Sequence, residues 1–220
     1  MVRAFTLNRV LLGLALLSLA LGLWQLGGAA LIHTKAWLAQ RLLDSAWSET
    51  LAGGSEVKPW PWADTWPVAR LQVPGLGVDL YVLAGASGRT LAFGPAEIPG
   101  TQGLDHSILS GHRDTHFAFL RQLEDGSSLR LQDPNGDWRD FVVRGQEVID
   151  ARRPVRARRA PEGSALLTLV TCYPFDSVTP GGPLRYAVTA ETTEPLGEAV
   201  HSTATIEGTE RGEGIPDGAL

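Results

Sequence analysis

"LLTLVTCYPFD", residues 166–176, carries the only cysteine in a chain of 220 residues. Its first six residues are a leucine-rich, β-branched run of strand length, and the Tyr-Pro pair after the cysteine stops a strand from continuing. The thiol therefore stands where a strand opens into a loop. A lone Cys at the end of such a run is most often an inert core residue, so a reactive role has to be argued from the rest of the chain.

Working outward, the same kind of run recurs. "VARLQV" (68–73), "VDLYVL" (78–83), "SILS" (107–110), "SLRLQ" (128–132), "DFVVRGQEVI" (140–149) and "LRYAVTA" (184–190) are alternating or β-branched, and Gly, Pro, Asn and Asp clusters separate them. About seven short strands with little helical pattern between them predict a mainly β fold, a closed or nearly closed barrel. Short helical insertions are expected at Arg89 to Phe93 and over "THFAFLRQL" (115–123).

The N-terminus has a different composition. Residues 10–32 are apolar apart from Ser18 and Gln25, long enough as a helix to cross a hydrocarbon core of about 30 Å. Arg3 and Arg9 precede the segment and no acidic residue does. The positive-inside rule thus predicts a cytoplasmic stretch (1–9), a transmembrane signal anchor (10–32) and an extracytoplasmic remainder. The cleavage site of a signal peptide is matched only weakly by "GGAALIH". Trp37, Leu38, Leu42, Leu43 and Trp47 recur near helical spacing, which extends the helix as a stalk. The Gly-, Pro- and Trp-rich stretch holding Trp60, Trp62 and Trp66 completes a stalk-and-linker region over 33–66. The folded domain is expected over 67–190. Residues 191–220, rich in Glu, Gly and Thr, are expected to be a disordered acidic tail.

Composition narrows the chemistry. A net charge of -5 provides no cationic field, which argues against nucleic acid as a partner. A single cysteine excludes an intramolecular disulfide, and no Cys/His pair has metal-finger spacing; the residues imply neither a cofactor nor a metal. A thiol kept unpaired in an oxidising compartment is a mild argument for chemistry. Such a thiol needs a basic neighbour, and an acyl-transfer site needs a donor for the developing oxyanion. Of the five histidines, His33 lies at the membrane edge and His201 in the tail, leaving His106, His112 and His116. His112 follows a strand and a glycine in "SILSGHRDTH", where a barrel displays side chains at its mouth; His106 and His116 read as structural. Arg185 opens the strand after the cysteine strand, and if the two are neighbours it shares that mouth with Cys172.

Three of these stretches, in this order, resemble the sortase family. "SGHRDTHFAFL" (110–120) resembles its catalytic histidine segment, "TLVTC" (168–172) its TLxTC motif, and "LRYAVTA" (184–190) the strand with its catalytic arginine. The resemblance covers about Trp60 to Ala190. The "CYPF" and "KPWPWAD" stretches are most similar to small sortases of Gram-negative marine proteobacteria, in which case the domain would be periplasmic. It implies a sortase-like closed barrel of about eight strands on a single-pass membrane anchor, and a cysteine transpeptidase. Its substrate would be a protein with a C-terminal sorting signal, and its acceptor an amine on the cell envelope. Cys172 would be the nucleophile, His112 the proton donor and acceptor, and Arg185 the oxyanion or substrate-positioning group, with Thr171 and Tyr173 as candidate substrate contacts. Free thiol and imidazole groups titrate near about 8.5 and 6.5 in water, so a thiolate-imidazolium pair would be a minority form near neutral pH. Glu97 stands in "GPAEIPGT" where many relatives carry a histidine, a departure from the family pattern that counts against an auxiliary role for that position. The basic cluster Arg152, Arg153, Arg156, Arg158 and Arg159 falls where the family reads substrate, but as a residue pattern it is an ordinary solvated loop. Two alternatives keep the barrel and change the function: a cysteine peptidase that hydrolyses the same intermediate, and a non-catalytic membrane-tethered interaction module.

Overall fold

The computed structural model describes residues 2–101, 106–153, 160–161, 163–177 and 181–193. The chain opens with one unbroken helix, α1 (Val2–Leu51), which no proline interrupts. It is long and apolar enough to cross a membrane, and the leucines from Leu12 to Leu31 lie exposed. The stalk expected after Ile32 is the continuation of this same helix. It stops where two glycines let it: Gly53 turns into the left-handed region at φ 99, its N–H reaches the Thr50 carbonyl, and the Gly54 N–H reaches the Glu49 carbonyl. A Cβ on Gly54 would stand 2.6 Å from the Val57 side chain, so the cap needs glycine there too.

The eight strands are β1 (Pro67–Val73), β2 (Val78–Ala84), β3 (Ala96–Glu97), β4 (His106–Ser110), β5 (Ser128–Gln132), β6 (Trp138–Asp150), β7 (Leu166–Cys172) and β8 (Leu184–Thr192). They close into a barrel in the order β1-β2-β3-β4-β7-β8-β6-β5. Seven of these are the runs read from the sequence. The eighth, β3, is two residues long and flanked by prolines, so it has no periodicity to read; it exists because β2 pairs with it on one side and β4 on the other. Strand β8 runs two residues beyond the expected domain boundary, since Glu191 and Thr192 find partners in Val142 and Phe141. The rest of the expected tail, and Arg156, Arg158 and Arg159, lie outside the described residues.

Only β2/β3 and β4/β7 are parallel; the remaining pairs are antiparallel. The side-chain alternation of β7 sets inside from outside. Leu167 and Leu169 point into the core with Leu71, Val82, Leu109, Leu129, Phe141 and Val188. Thr168, Val170 and Cys172 point the other way. The short helical insertion expected after Asp114 is a 3₁₀ helix, Ala118–Gln122. Phe117, Leu120 and Leu123 must all reach the core, and a three-residue repeat brings them to one side over two short turns.

The end of α1 is docked against the barrel's outside. Leu43 packs on Leu83 and Ala96. Trp47, 2% exposed, donates its indole N–H to Gln132 Oε1 at 3.3 Å. Gln40 reaches the Phe93 carbonyl at 3.0 Å, and the Tyr81 hydroxyl donates to Asp44. Burial, then that hydrogen bond, push the Tyr81 phenol up to about 12, so it stays a donor at any physiological pH. Of the linker indoles, Trp60 meets the Phe93 ring edge-on at 4.9 Å, whereas Trp62 is 83% exposed.

Candidate active site

Strand direction brings the candidate residues together. Because β4 and β7 are parallel, their C-terminal ends lie at the same end of the barrel; because β8 is antiparallel to β7, its start lies there too. The register is specific. The last pair of the ladder is Ser110 with Val170, so the two chains leave the sheet side by side, with His112 two residues beyond Ser110 and Cys172 two beyond Val170. Across the other edge Cys172 pairs directly with Arg185. The Tyr173 N–H donates to the Leu184 carbonyl at 3.1 Å, which puts the 172/185 pair at the narrow, non-hydrogen-bonded rung where facing Cα atoms are about 4.5 Å apart. Cys172 is thus flanked by His112 on β4's side and Arg185 on β8's side.

Each of the three is held differently. Cys172 is partly buried and disulfide-free. His112 is exposed, at the head of a turn closed by the Phe117 N–H donating to the His112 carbonyl at 2.9 Å. Arg185 Nη1 donates to the carbonyls of Gly182 at 2.7 Å and Leu184 at 2.9 Å, which fixes its head at the rim. The turn that carries His112 needs the glycine before it: a Cβ on Gly111 would stand 2.7 Å from the fully buried Phe117 ring.

Thr171 is not where a substrate contact would be. It is 1% exposed, faces inward, and donates its hydroxyl to the Gly111 carbonyl at 2.7 Å. The Gly111 N–H in turn donates to the Val170 carbonyl at 3.2 Å. Thr171 therefore fixes the backbone from which His112 projects, and its inward alternation, opposite to that of Cys172, is the reason. Tyr173 alternates the same way and joins an aromatic cluster, 6.3 Å from Phe175 and 6.2 Å from Tyr186 between ring centroids. Its ring is used in packing the loop after the cysteine.

The other two histidines differ from His112 in their surroundings. His106 bonds the Thr168 hydroxyl through Nε2 at 2.7 Å. His116 sits near His112 and titrates below the ordinary histidine value, first because it is desolvated and second because of the charge on His112. A proton gained at this rim is accordingly disfavoured on His116. Glu97 faces inward into a cavity of about 400 Å3 with Ser107, Asp133 and Arg139, and burial pushes its carboxyl up. A larger cavity, about 620 Å3, lies between α1 and the Trp linker. Neither cavity is lined by His112, Cys172 or Arg185. Among the described residues no group of three or more His, Cys, Asp or Glu is gathered to hold a metal ion.

One residue of the site carries no signal of its own in the sequence. Arg113, next to His112, is 7% exposed, and its guanidinium donates from Nη1 to the Pro174 carbonyl at 2.7 Å and from Nη2 to the Ser177 carbonyl. An arginine in a Gly-His-Arg-Asp turn reads as solvated; only the fold shows that it is enclosed.

The sequence model of the Sortase domain matches residues 71–193 of this chain. Sortase D of Bacillus subtilis (strain 168) is 29% identical over 121 residues, which are 54% of this chain and 60% of that protein. This chain thus spans about three fifths of the length of that relative. Among solved structures, sortase C-1 of Actinomyces oris is similar with a TM-score of 0.50 and 30% identity, covering 57% of this chain and 74% of that one. Sortase C of Clostridium perfringens, solved with the C-terminal cell wall sorting motif, is similar in fold with a TM-score of 0.51 and 19% identity, covering 73% and 90%.

Proposed function

This chain belongs to the sortase family, and on that premise we propose that it is a membrane-anchored cysteine transpeptidase acting on proteins with a C-terminal sorting signal. The observation that supports the reading is the pairing of β7 with β4 on one side and β8 on the other, which brings the strand ends that lead to His112, Cys172 and Arg185 to one end of the barrel. In the first half-reaction the Cys172 thiolate attacks the scissile carbonyl carbon. The resulting oxyanion is stabilised by the Arg185 guanidinium, a permanent cation with several N–H donors. The C–N bond breaks, the leaving amine takes a proton from the His112 imidazolium, and the N-terminal part of the substrate remains as a thioester on Sγ. In the second half, neutral His112 takes a proton from the incoming amine, whose nitrogen attacks the thioester and expels the thiolate. Burial, and then the charge on His112, lower the affinity of His116 for protons, which disfavours it as the proton carrier of this cycle. No step requires a cofactor.

Residues 10–32 act as the anchor. Arg3 and Arg9 keep the N-terminus in the cytoplasm, and the barrel faces the extracytoplasmic side, the periplasm in a Gram-negative cell. The acceptor is an amine of the cell envelope. That a sortase C of the same fold holds a sorting motif supports a peptide of that class as substrate here.

The test incubates the full-length chain in detergent micelles with a library of sorting-signal peptides and an amine acceptor, with products separated by mass. The expected outcome is a transfer product that depends on the acceptor and falls by about 10²- to 10⁴-fold in His112→Ala. Cleavage with water alone as acceptor at every amine concentration would replace transpeptidase by peptidase. No reaction with any peptide would leave the barrel a tethered interaction module.

A further inference from the structure

The parallel ladder between β4 and β7 ends one residue short of the chemistry. Its last backbone bond runs from the Gly111 N–H to the Val170 carbonyl. Beyond it the two chains leave the sheet, one as the turn that begins at His112 and the other as the loop 173–177 that follows Cys172. With only the ladder, the distance between imidazole and sulfur would depend on two independent turns. Among the described residues two side chains cross between them: the exposed Arg121 stands 4.0 Å from Asp176, whereas Arg113 crosses from within the turn itself and is enclosed. Its Nη1 donates to the Pro174 carbonyl at 2.7 Å and its Nη2 to the Ser177 carbonyl, across 61 and 64 residues of sequence. Its Nε donates to Asp114 Oδ1 at 3.3 Å, within its own turn. The side chain is only 6% exposed while Asp114 is 71% exposed, so the enclosed end of the cation is the one bonded to the far loop.

We propose that Arg113 is a positioning residue for the transpeptidase reaction, its guanidinium fork locking the His112 turn to the loop after Cys172 and so fixing the approach of imidazole to sulfur. The inference rests on the proposed function and names a part of the site beyond His112, Cys172 and Arg185. Arginine suits the task because two nitrogens of one rigid plane reach two separate carbonyls, whereas an ammonium is a point donor on a flexible stem. Hydrogen bonds from a charged donor are the stronger kind, and the donor side chain here is enclosed. A misplacement of about 1 Å between reacting groups can cost about 100-fold in rate. Loosening this fork therefore acts on the chemical step and leaves peptide binding largely alone.

The test uses the full-length chain in detergent as wild type, Arg113→Ala, Arg113→Lys and His112→Ala. The first reading is the pH dependence of alkylation of the sole cysteine by iodoacetamide, which needs no substrate. In wild type the minority thiolate-imidazolium form is expected to give the rate a low-amplitude inflection at acid pH, which His112→Ala removes. Arg113→Ala is expected to lose the inflection as His112→Ala does, and Arg113→Lys to recover part of it. The second reading is turnover with a peptide found as above: kcat falls about 100-fold in Arg113→Ala with KM within about threefold of wild type. Added to His112→Ala, the substitution should then cost little more, since the two act as one unit. An inflection that survives unchanged in Arg113→Ala, with a lowered Tm as the only change, makes the fork a structural staple and overturns the proposal. If Arg113→Ala does not fold, a wild-type pH profile in Arg113→Lys overturns it equally. A wild type with no His112-dependent inflection overturns both this inference and the mechanism beneath it, whereas an inflection that needs Arg113 without any peptide transfer leaves the positioning intact and removes only the proposed substrate class.

Discussion

The rim where β4, β7 and β8 meet and the seam where α1 docks on β1 and β2 are both built from a few residues brought in from distant parts of the sequence, yet they are held by different means. At the seam, side chains make the contact: Leu43 and Trp47 are buried, and Trp47, Asp44 and Gln40 each add one polar bond to the barrel. At the rim, backbone does it: the Gly111 N–H and carbonyl are both taken, Tyr173 bonds Leu184, and Arg113 and Arg185 grip carbonyls. Packing of apolar side chains supplies adhesion and tolerates small shifts. Backbone bonds fix position within tenths of an ångström, which is what reacting groups need. The seam should therefore be rich in stability and poor in catalytic effect, and the rim the reverse.

Substitutions at the two regions should divide accordingly. The largest stability loss is expected from Trp47→Ala, at about 3–5 kcal/mol for removing a buried indole. Chemical denaturation of the full chain measures it, and the molecules that remain folded should turn over at the wild-type rate; a hundredfold loss of kcat in the folded fraction would show that the seam, too, sets the site. Gly111→Ala at the rim should cost less stability, about 1–3 kcal/mol of overpacking against Phe117. It should nonetheless cost more activity than Trp47→Ala, because Phe117 can yield only by moving the turn that carries His112. Thr171→Val, nearly isosteric, leaves the Gly111 carbonyl without its hydroxyl donor; about 1–2 kcal/mol is expected, with a fall in kcat and no change in KM. A rise in KM alone would return Thr171 to the substrate contacts.

The smallest effect belongs to neither region and serves as a control. Glu97 is desolvated, and its folded carboxyl titrates above its ordinary value of 4.5. The folded state therefore binds a proton that the unfolded state has already released, and stability falls as pH rises from 4.5 through the folded value. Glu97→Gln removes the penalty. Its melting temperature should lie slightly above wild type at pH 7 and converge with it below pH 4.5, and a gap that widens towards acid would mean the carboxylate is stabilised.

Much of the fold was legible because strands announce themselves. Seven of eight alternate or are β-branched, and the apolar N-terminal run reads as a helix by length alone. The eighth, Ala96–Glu97, was hidden because its pairing is imposed by β2 and β4 and nothing local favours it. The short helical insertion expected over residues 115–123 is present as a 3₁₀ helix, its pitch set by the core demand of Phe117, Leu120 and Leu123. At the site, residue type, order and family resemblance single out His112, Cys172 and Arg185, and strand direction brings the ends that lead to them to one end of the barrel. The backbone contacts of Thr171, expected as a substrate contact, and of Arg113 were not legible, for a shared reason: whether a polar side chain meets substrate or backbone depends on which way its strand alternates and on what crosses the turn, and neither is written in the residues around it.

The central claim is that Cys172 forms a covalent acyl intermediate with a sorting-signal peptide. The direct measurement is the intact mass of the full-length chain, quenched in acid seconds after mixing with a cleaved peptide and no amine acceptor. A mass gain equal to the N-terminal fragment, removed by hydroxylamine and absent in Cys172→Ala, is the predicted result. Cleavage that proceeds with no such adduct, or an adduct that persists in Cys172→Ala, would contradict it.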